Sequence, residues 1–133
     1  MTSFKIAIPS LIENITIIES FIDNAREKFD INDDIYGNIM ISVTECVSNA
    51  IIHGNGKDIE KKVHIELHFS DDQLTFIVSD EGTGFNHDTL KDPTAPENLE
   101  RTGGRGIYIM EHLADEVKYE NNGSKAFLTF YMN

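Results

Sequence analysis

The sequence predicts an α+β fold: a two-layer sandwich in which a mixed, mostly antiparallel sheet is covered on one face by helices. Three observations predict it. Apolar residues recur at helical spacing across 11–29 and again across 35–50. They alternate with polar residues across 62–70 and lead into a second strand-like run at 73–79. The chain then closes on a hairpin pattern around Asn122-Gly123. In order the elements read β-α-α-β-β-α-β-β, within a single domain spanning residues 1–133.

The first strand is expected at 3–8, ending at Pro9. Ser10 and Glu13 have the spacing of a capping box, which starts the first helix at 11. Leu11, Ile15, Ile18, Ile22, Ala25 and Phe29 form its apolar stripe. Asn32 is placed to cap the second helix, with Asp33 and Asp34 favourable at its positive end. Ile35, Ile39, Val43, Val47 and Ala50 give that helix a buried face, and Gly54 is a C-terminal stop. Val63, Ile65, Leu67 and Phe69 then alternate with His64, Glu66 and His68, the period of a half-buried strand. Asp71-Asp72 turns the chain into the antiparallel partner at 73–79. The polar stretch 80–103 is longer than an ordinary connection, which marks it as functional or mobile. A short helix fits 104–114, and a last hairpin pairs 116–121 with 125–132.

Composition narrows the function. With 133 residues, 40% of them hydrophobic, the chain needs no disulfide or metal staple. The lone Cys46 excludes an internal disulfide and a cysteine-rich zinc site. The net charge of −12 argues against nucleic acid and against an anionic membrane surface, since both are bound through Lys and Arg. No apolar run approaches the roughly 20 residues of a membrane helix, and residues 1–9 lack the pattern of a secretory signal. A cytoplasmic protein is expected.

Three polar features carry the chemistry. Glu45, Asn49 and His53 recur every four residues on the second helix, off its apolar stripe, and so share a face. A carboxylate, an amide and an imidazole in one column can serve as base, metal-oxygen ligand and hydrogen-bond partner; such columns are also ordinary on solvated helices. Asp80-Glu81-Gly82-Thr83-Gly84-Phe85 directly follows a strand. Gly82 and Gly84 let the backbone approach a ligand closely, and Asp80 can accept from an exocyclic amino group. Gly103-Gly104-Arg105-Gly106 precedes an apolar helix, where helix-start N–H groups and Arg105 suit phosphate. There is no GxxxxGK[ST] loop and no Rossmann fingerprint. His64 and His68 lie roughly 13 Å apart along a strand, too far to share a metal ion. Cys46 turns away from Glu45 and reads as a buried small hydrophobe.

Taken together, the order and spacing of these features resemble the ATP site of the GHKL superfamily, which includes gyrase and the histidine kinases. The match is closest to the anti-sigma-factor serine/threonine protein kinases. Their E-x-x-x-N-A-x-x-H helix is matched by Glu45-Cys46-Val47-Ser48-Asn49-Ala50-Ile51-Ile52-His53. Their glycine boxes are matched by Asp80 to Phe85 and by Gly103 to Ile107, the latter followed by Leu113-Ala114-Asp115-Glu116-Val117. The resemblance covers residues 5 to 132. Many relatives carry two hydroxyl residues after the glycine of the last hairpin; here Gly123 is followed by Ser124 and Lys125.

The resemblance implies a Bergerat-type ATP-binding fold that uses ATP and Mg²⁺. By it, Asn49 coordinates Mg²⁺ and Glu45 is the general base toward the attacking hydroxyl. Asp80 accepts the adenine amino group, Gly82 and Gly84 let the backbone pass the nucleotide, and His53 is a hydrogen-bonding residue of the site. Gly103, Gly104, Arg105 and Gly106 contact phosphate, and the loop 86–102 is an ATP lid ordered by the γ-phosphate through Arg105 or Arg101. The implied substrate is a serine of an anti-anti-sigma antagonist protein, and the other partner a sigma factor. A homodimer is also implied, with residues 1–30 as its surface. The alternative is a module that binds a partner in a nucleotide-dependent way without phosphorylating it. The intact Glu45 favours the kinase.

Overall fold

The computed structural model describes residues 2–70, 72–82 and 112–132. It runs β1 (Thr2–Pro9), a 3-10 turn (Ile12–Asn14), α1 (Ile15–Phe29), α2 (Asp33–Asn49), a π turn (Ala50–Gly54), β2 (Lys62–Ser70), β3 (Gln73–Ser79), β4 (Glu116–Glu120), a second 3-10 turn (Asn121–Gly123) and β5 (Lys125–Tyr131). The helix expected at 104–114 lies outside the described residues except at 112–114, of which 112–113 are helical.

The five strands form one sheet in the order β1-β2-β3-β5-β4. All four pairings are antiparallel, so the described strands include no parallel pair. Period-two alternation sends Val63, Ile65 and Leu67 of β2, Leu74, Phe76 and Val78 of β3, and Ala126, Leu128 and Phe130 of β5 to one face, where all are buried. Both helices cover that face with Ile18, Ile22 and Ala25 from α1 and Ile39, Val43, Val47 and Ala50 from α2 and the π turn. Phe76 and Phe130 meet edge to face at 6.1 Å in this core, and Phe29 of α1 stacks on Phe69 of β2 at 4.6 Å.

Asn32 caps α2 as its sequence position predicts, its Oδ1 accepting from the Ile35 N–H at 3.0 Å. Arg26 ties the two helices together by pairing with Asp33 and lying over the Tyr36 ring. The start of α1 departs from expectation. Ser10 caps nothing: it is fully buried, and its hydroxyl donates to the Lys61 carbonyl at 2.6 Å. With its cap engaged elsewhere, the chain makes a 3-10 turn and α1 begins at Ile15, which leaves Leu11 exposed rather than in the stripe. The reading of apolar runs also needs correction. Asp33–Gly54 is 22 residues long and holds an 18-residue stretch with a mean hydropathy of 1.3, enough by length and composition to cross a membrane. Here its apolar side supplies the layer packed on the sheet.

This topology fixes where a site can form. β3 and β5 are central neighbours, and Ser79 at the end of β3 pairs with Lys125 at the start of β5. The Asp80 N–H donates to the Ser124 carbonyl at 2.9 Å, so the residues just beyond both strands stay together. The C-terminal end of α2 lies over this corner: Cys46 and Ala50 line one small recess with Val78, Asp80, Gly123, Ser124 and Ala126.

Candidate functional site

Glu45 and Asn49 sit one turn apart on α2, as their spacing predicts. Glu45 is half-buried, has no hydrogen-bond or charge partner among the described residues, and burial raises its carboxyl above the ordinary range. Asn49 is 3% exposed, so the expectation that the whole polar column lies off the buried face fails at this residue. Its Nδ2 is buried without a hydrogen-bond partner among the described residues. A buried amide is normally satisfied, so an unpartnered one is a candidate ligand contact. His53 falls in the π turn, which interrupts the continuous α-helical column; its residues close through the Asn55 N–H to Ala50 carbonyl bond of 2.8 Å. Single π turns recur at functional sites.

Asp80 comes from the other side of the corner. Its Oδ1 accepts from the Gly82 N–H at 2.9 Å, which closes the glycine turn on the carboxylate and leaves Oδ2 without a partner among the described residues. Burial raises the Asp80 carboxyl, and the Gly82 hydrogen bond partly offsets that rise. The Cys46 thiol is pushed up to about 12 by full burial and by the nearby Asp80 charge; it is a neutral wall of the recess. Cys46 is thus the buried residue the sequence suggested, and it joins the helix to Asp80. Ser124, singled out only as a family departure, lines the same recess.

Gly82 lies where Asp80 requires it: a Cβ there would collide with the Gly54 carbonyl. Gly84, Arg101, Gly103, Gly104, Arg105, Gly106 and the lid 86–102 lie outside the described residues. His64 and His68 pair with separate carboxylates, His64 Nε2 with Glu81 Oε2 at 2.8 Å and His68 Nε2 with Glu66 Oε2 at 2.9 Å. No cluster of three or more His, Cys, Asp or Glu residues able to hold a metal occurs among the described residues. Mg²⁺ needs no such cluster, since it takes few protein oxygens beside phosphates and water. Asn49 can offer its amide oxygen to such an ion and its unpartnered NH₂ to a phosphate oxygen.

Sequence reasoning missed Gly54 as more than a helix stop, and missed Asn55 altogether. A Cβ at position 54 would fall inside the Asp80 carboxylate. Asn55 is 4% exposed and makes three hydrogen bonds across three chain segments. The available signal was Gly54-Asn55-Gly56, an odd cluster directly behind the polar column.

Asp80, at a glycine turn, and Cys46 and Ala50 of the end of α2 meet at one recess, with the half-buried Glu45 and the buried Asn49 beside Cys46 and Ala50 in the chain. The profile of the histidine kinase-like ATPase domain family matches residues 8–131, and the chain belongs to that family. Within it, the similar proteins are serine-protein kinases named RsbW. The one from Bacillus subtilis is 29% identical over 136 residues, covering 97% of this chain and 85% of the relative. The one from Bacillus licheniformis is 30% identical over 132 residues, covering 94% and 82%. The one from Listeria innocua is 33% identical over 102 residues, covering 71% and 65%. The resemblance drawn from the sequence motifs is thus borne out. A crystal structure of the RsbU and RsbW domains of a Mycobacterium tuberculosis protein superposes with a TM-score of 0.72 at 15% identity, over 99% of this chain and 32% of that one; it supports the fold.

Proposed function

We propose that this protein is a Mg-ATP-dependent serine kinase that transfers the γ-phosphate of ATP to a serine hydroxyl of a small antagonist protein. The observation that carries this reading is the pairing on α2 of Glu45, half-buried and without a partner among the described residues, with the orphaned buried amide of Asn49 one turn away. A solvated polar face would leave neither group in that state. Glu45 is the general base for the attacking hydroxyl, and its raised carboxyl suits that work. Asn49 holds Mg²⁺, and Asp80 Oδ2 accepts the adenine amino group while Gly82 keeps the turn tight. His53 supports the end of α2. Arg101 of the lid and Gly103, Gly104, Arg105 and Gly106 after it serve the phosphates, and Gly84 lets the backbone pass the nucleotide. When bound, Mg-ATP supplies the phosphoryl group and neutralises its developing charge; the protein contributes positioning and the base.

The serine-protein kinases similar to this chain favour the enzyme over a pure binding module. The antagonist is of the anti-anti-sigma kind, a sigma factor is the second partner, and the kinase works as a cytoplasmic homodimer through residues 1–30. In support, β1 is an edge strand, and Leu11, Ile12 and Ile17 in the segment that follows it are exposed. The test is capture of partners with Mg-ATP and, separately, Mg-ADP, followed by phosphosite mapping. Serine phosphorylation in the ATP arm, lost in Glu45→Gln, is the expected result. Partner retention without transfer would leave the binding module.

A further inference from the structure

The Asp80–Gly82 turn is held from two sides. On its outer side His64 Nε2 meets Glu81 Oε2 at 2.8 Å, with both side chains more than two-fifths exposed. Exposed pairs of this kind are screened by water and contribute little. On its inner side the hold is buried. Asn55 Oδ1 accepts from the Glu81 N–H at 2.8 Å. Its Nδ2 donates to Ser10 Oγ at 2.8 Å and to the Lys62 carbonyl at 3.0 Å. Ser10 Oγ donates onward to the Lys61 carbonyl at 2.6 Å. The amide orientation is dictated by these partners: turned over, it would set NH₂ against the Glu81 N–H and its oxygen against a carbonyl. Gly54, directly before Asn55, is equally constrained. Its Cα hydrogens face the Asp80 carboxylate where any Cβ would collide, and its carbonyl occupies the space a Cβ on Gly82 would need. Both residues reach these places because the π turn ends α2 there, with the Asn55 N–H on the Ala50 carbonyl.

We propose that Gly54 and Asn55 are positioning residues for recognition of the nucleotide base: through the π turn they lock the Asp80–Gly82 turn to the end of α2 and to β1 and β2, fixing where the Asp80 carboxylate points. The proposal rests on the reading that Asp80 accepts the adenine amino group. It makes base selectivity depend on two residues that touch no nucleotide.

The test measures ATP and ITP affinity by calorimetry, well below each variant's melting temperature. ITP carries an oxo group in place of the adenine amino group and an N1–H donor in place of the adenine N1 acceptor, with the same ribose and triphosphate. In Asn55→Ala the ATP affinity should fall about tenfold, the scale of one misaligned charged hydrogen bond, while ITP affinity holds. Asn55→Asp keeps the acceptor for the Glu81 N–H and loses the donors to Ser10 and Lys62. It should melt lower yet retain the preference for ATP. A residue with only a structural role would weaken both nucleotides alike, and that result, or no change in either, overturns the proposal. Should Asn55→Ala fail to fold, Gly54→Ala is measured in the same way, and an unchanged ATP-to-ITP ratio there overturns it. Wild-type protein that binds both nucleotides equally refutes the Asp80 reading itself, and the proposal falls with it.

Discussion

Replacing Glu45 by Gln changes one oxygen for an NH₂ on a half-buried helix position and leaves the packing of α2 in place. If the carboxylate is the base, transfer to serine should slow by about 10²–10⁴-fold, or about 2.7–5.5 kcal/mol of transition-state stabilisation. Mg-ATP affinity should hardly change, because the base acts on the nucleophile. The pH dependence has a definite sign. Burial raises the folded-state carboxyl of Glu45, and no compensating partner exists among the described residues. A raised folded value contributes stability that is fully present below the ordinary glutamate range and lost as pH rises through the folded value. The charged form therefore weakens the fold at neutral pH, so Glu45→Gln should melt higher than wild type at pH 7. The advantage should vanish once the medium is acidic enough to protonate free glutamate. Wild-type transfer should likewise decline on acidification with a midpoint above the ordinary glutamate value. Single-turnover phosphorylation and melting curves across pH check all three. Transfer by Glu45→Gln at the wild-type rate, or a melting difference indifferent to pH, refutes the reasoning.

Asn49→Ala should weaken Mg-ATP binding itself, measured by calorimetry with and without Mg²⁺, because the lost amide is the residue assigned to the metal. Phe76→Ala empties a fully buried site against Phe130 and should cost about 3–5 kcal/mol in chemical denaturation. The hydrogen bond from His64 is the largest cause holding the Glu81 carboxyl below its usual range, so His64→Ala should move it back up in an NMR titration. That lowered value contributes stability present above the ordinary glutamate range and lost as pH falls through the folded value.

The strands and α2 were legible because their signals are local. Period-two alternation placed β2 and β3 to the residue, and the Asn32 cap set the start of α2. The start of α1 was not legible, because Ser10 has the right spacing for a cap but a stronger tertiary use, buried between Lys61 and Asn55. The site divides along the same line. Glu45, Asn49 and Asp80 are chemically conspicuous residues in a recognisable spacing. Asn49 was misjudged only in burial, since a helical column cannot say which flank of the stripe another element will cover.

Gly54 shows why the remainder could not be read. By helix rules it is a C-terminal stop, and the π turn does end there. Its second role depends on a carboxylate 26 positions further along the chain occupying the space a side chain would take. No local pattern encodes that approach, because it arises only after β2 and β3 have paired and returned the chain to the end of α2. The same holds for Asn55, whose three bonds join segments 45, 7 and 26 residues away. A polar residue in a glycine-flanked loop ordinarily reads as solvated turn chemistry. Here the Asn55 side chain is buried, and its oxygen and both N–H groups meet partners in other segments of the chain. The geometry of the Asp80 carboxylate is thus held by residues whose own types announce only a bend in the chain, so mutational scans limited to the motif residues would miss it.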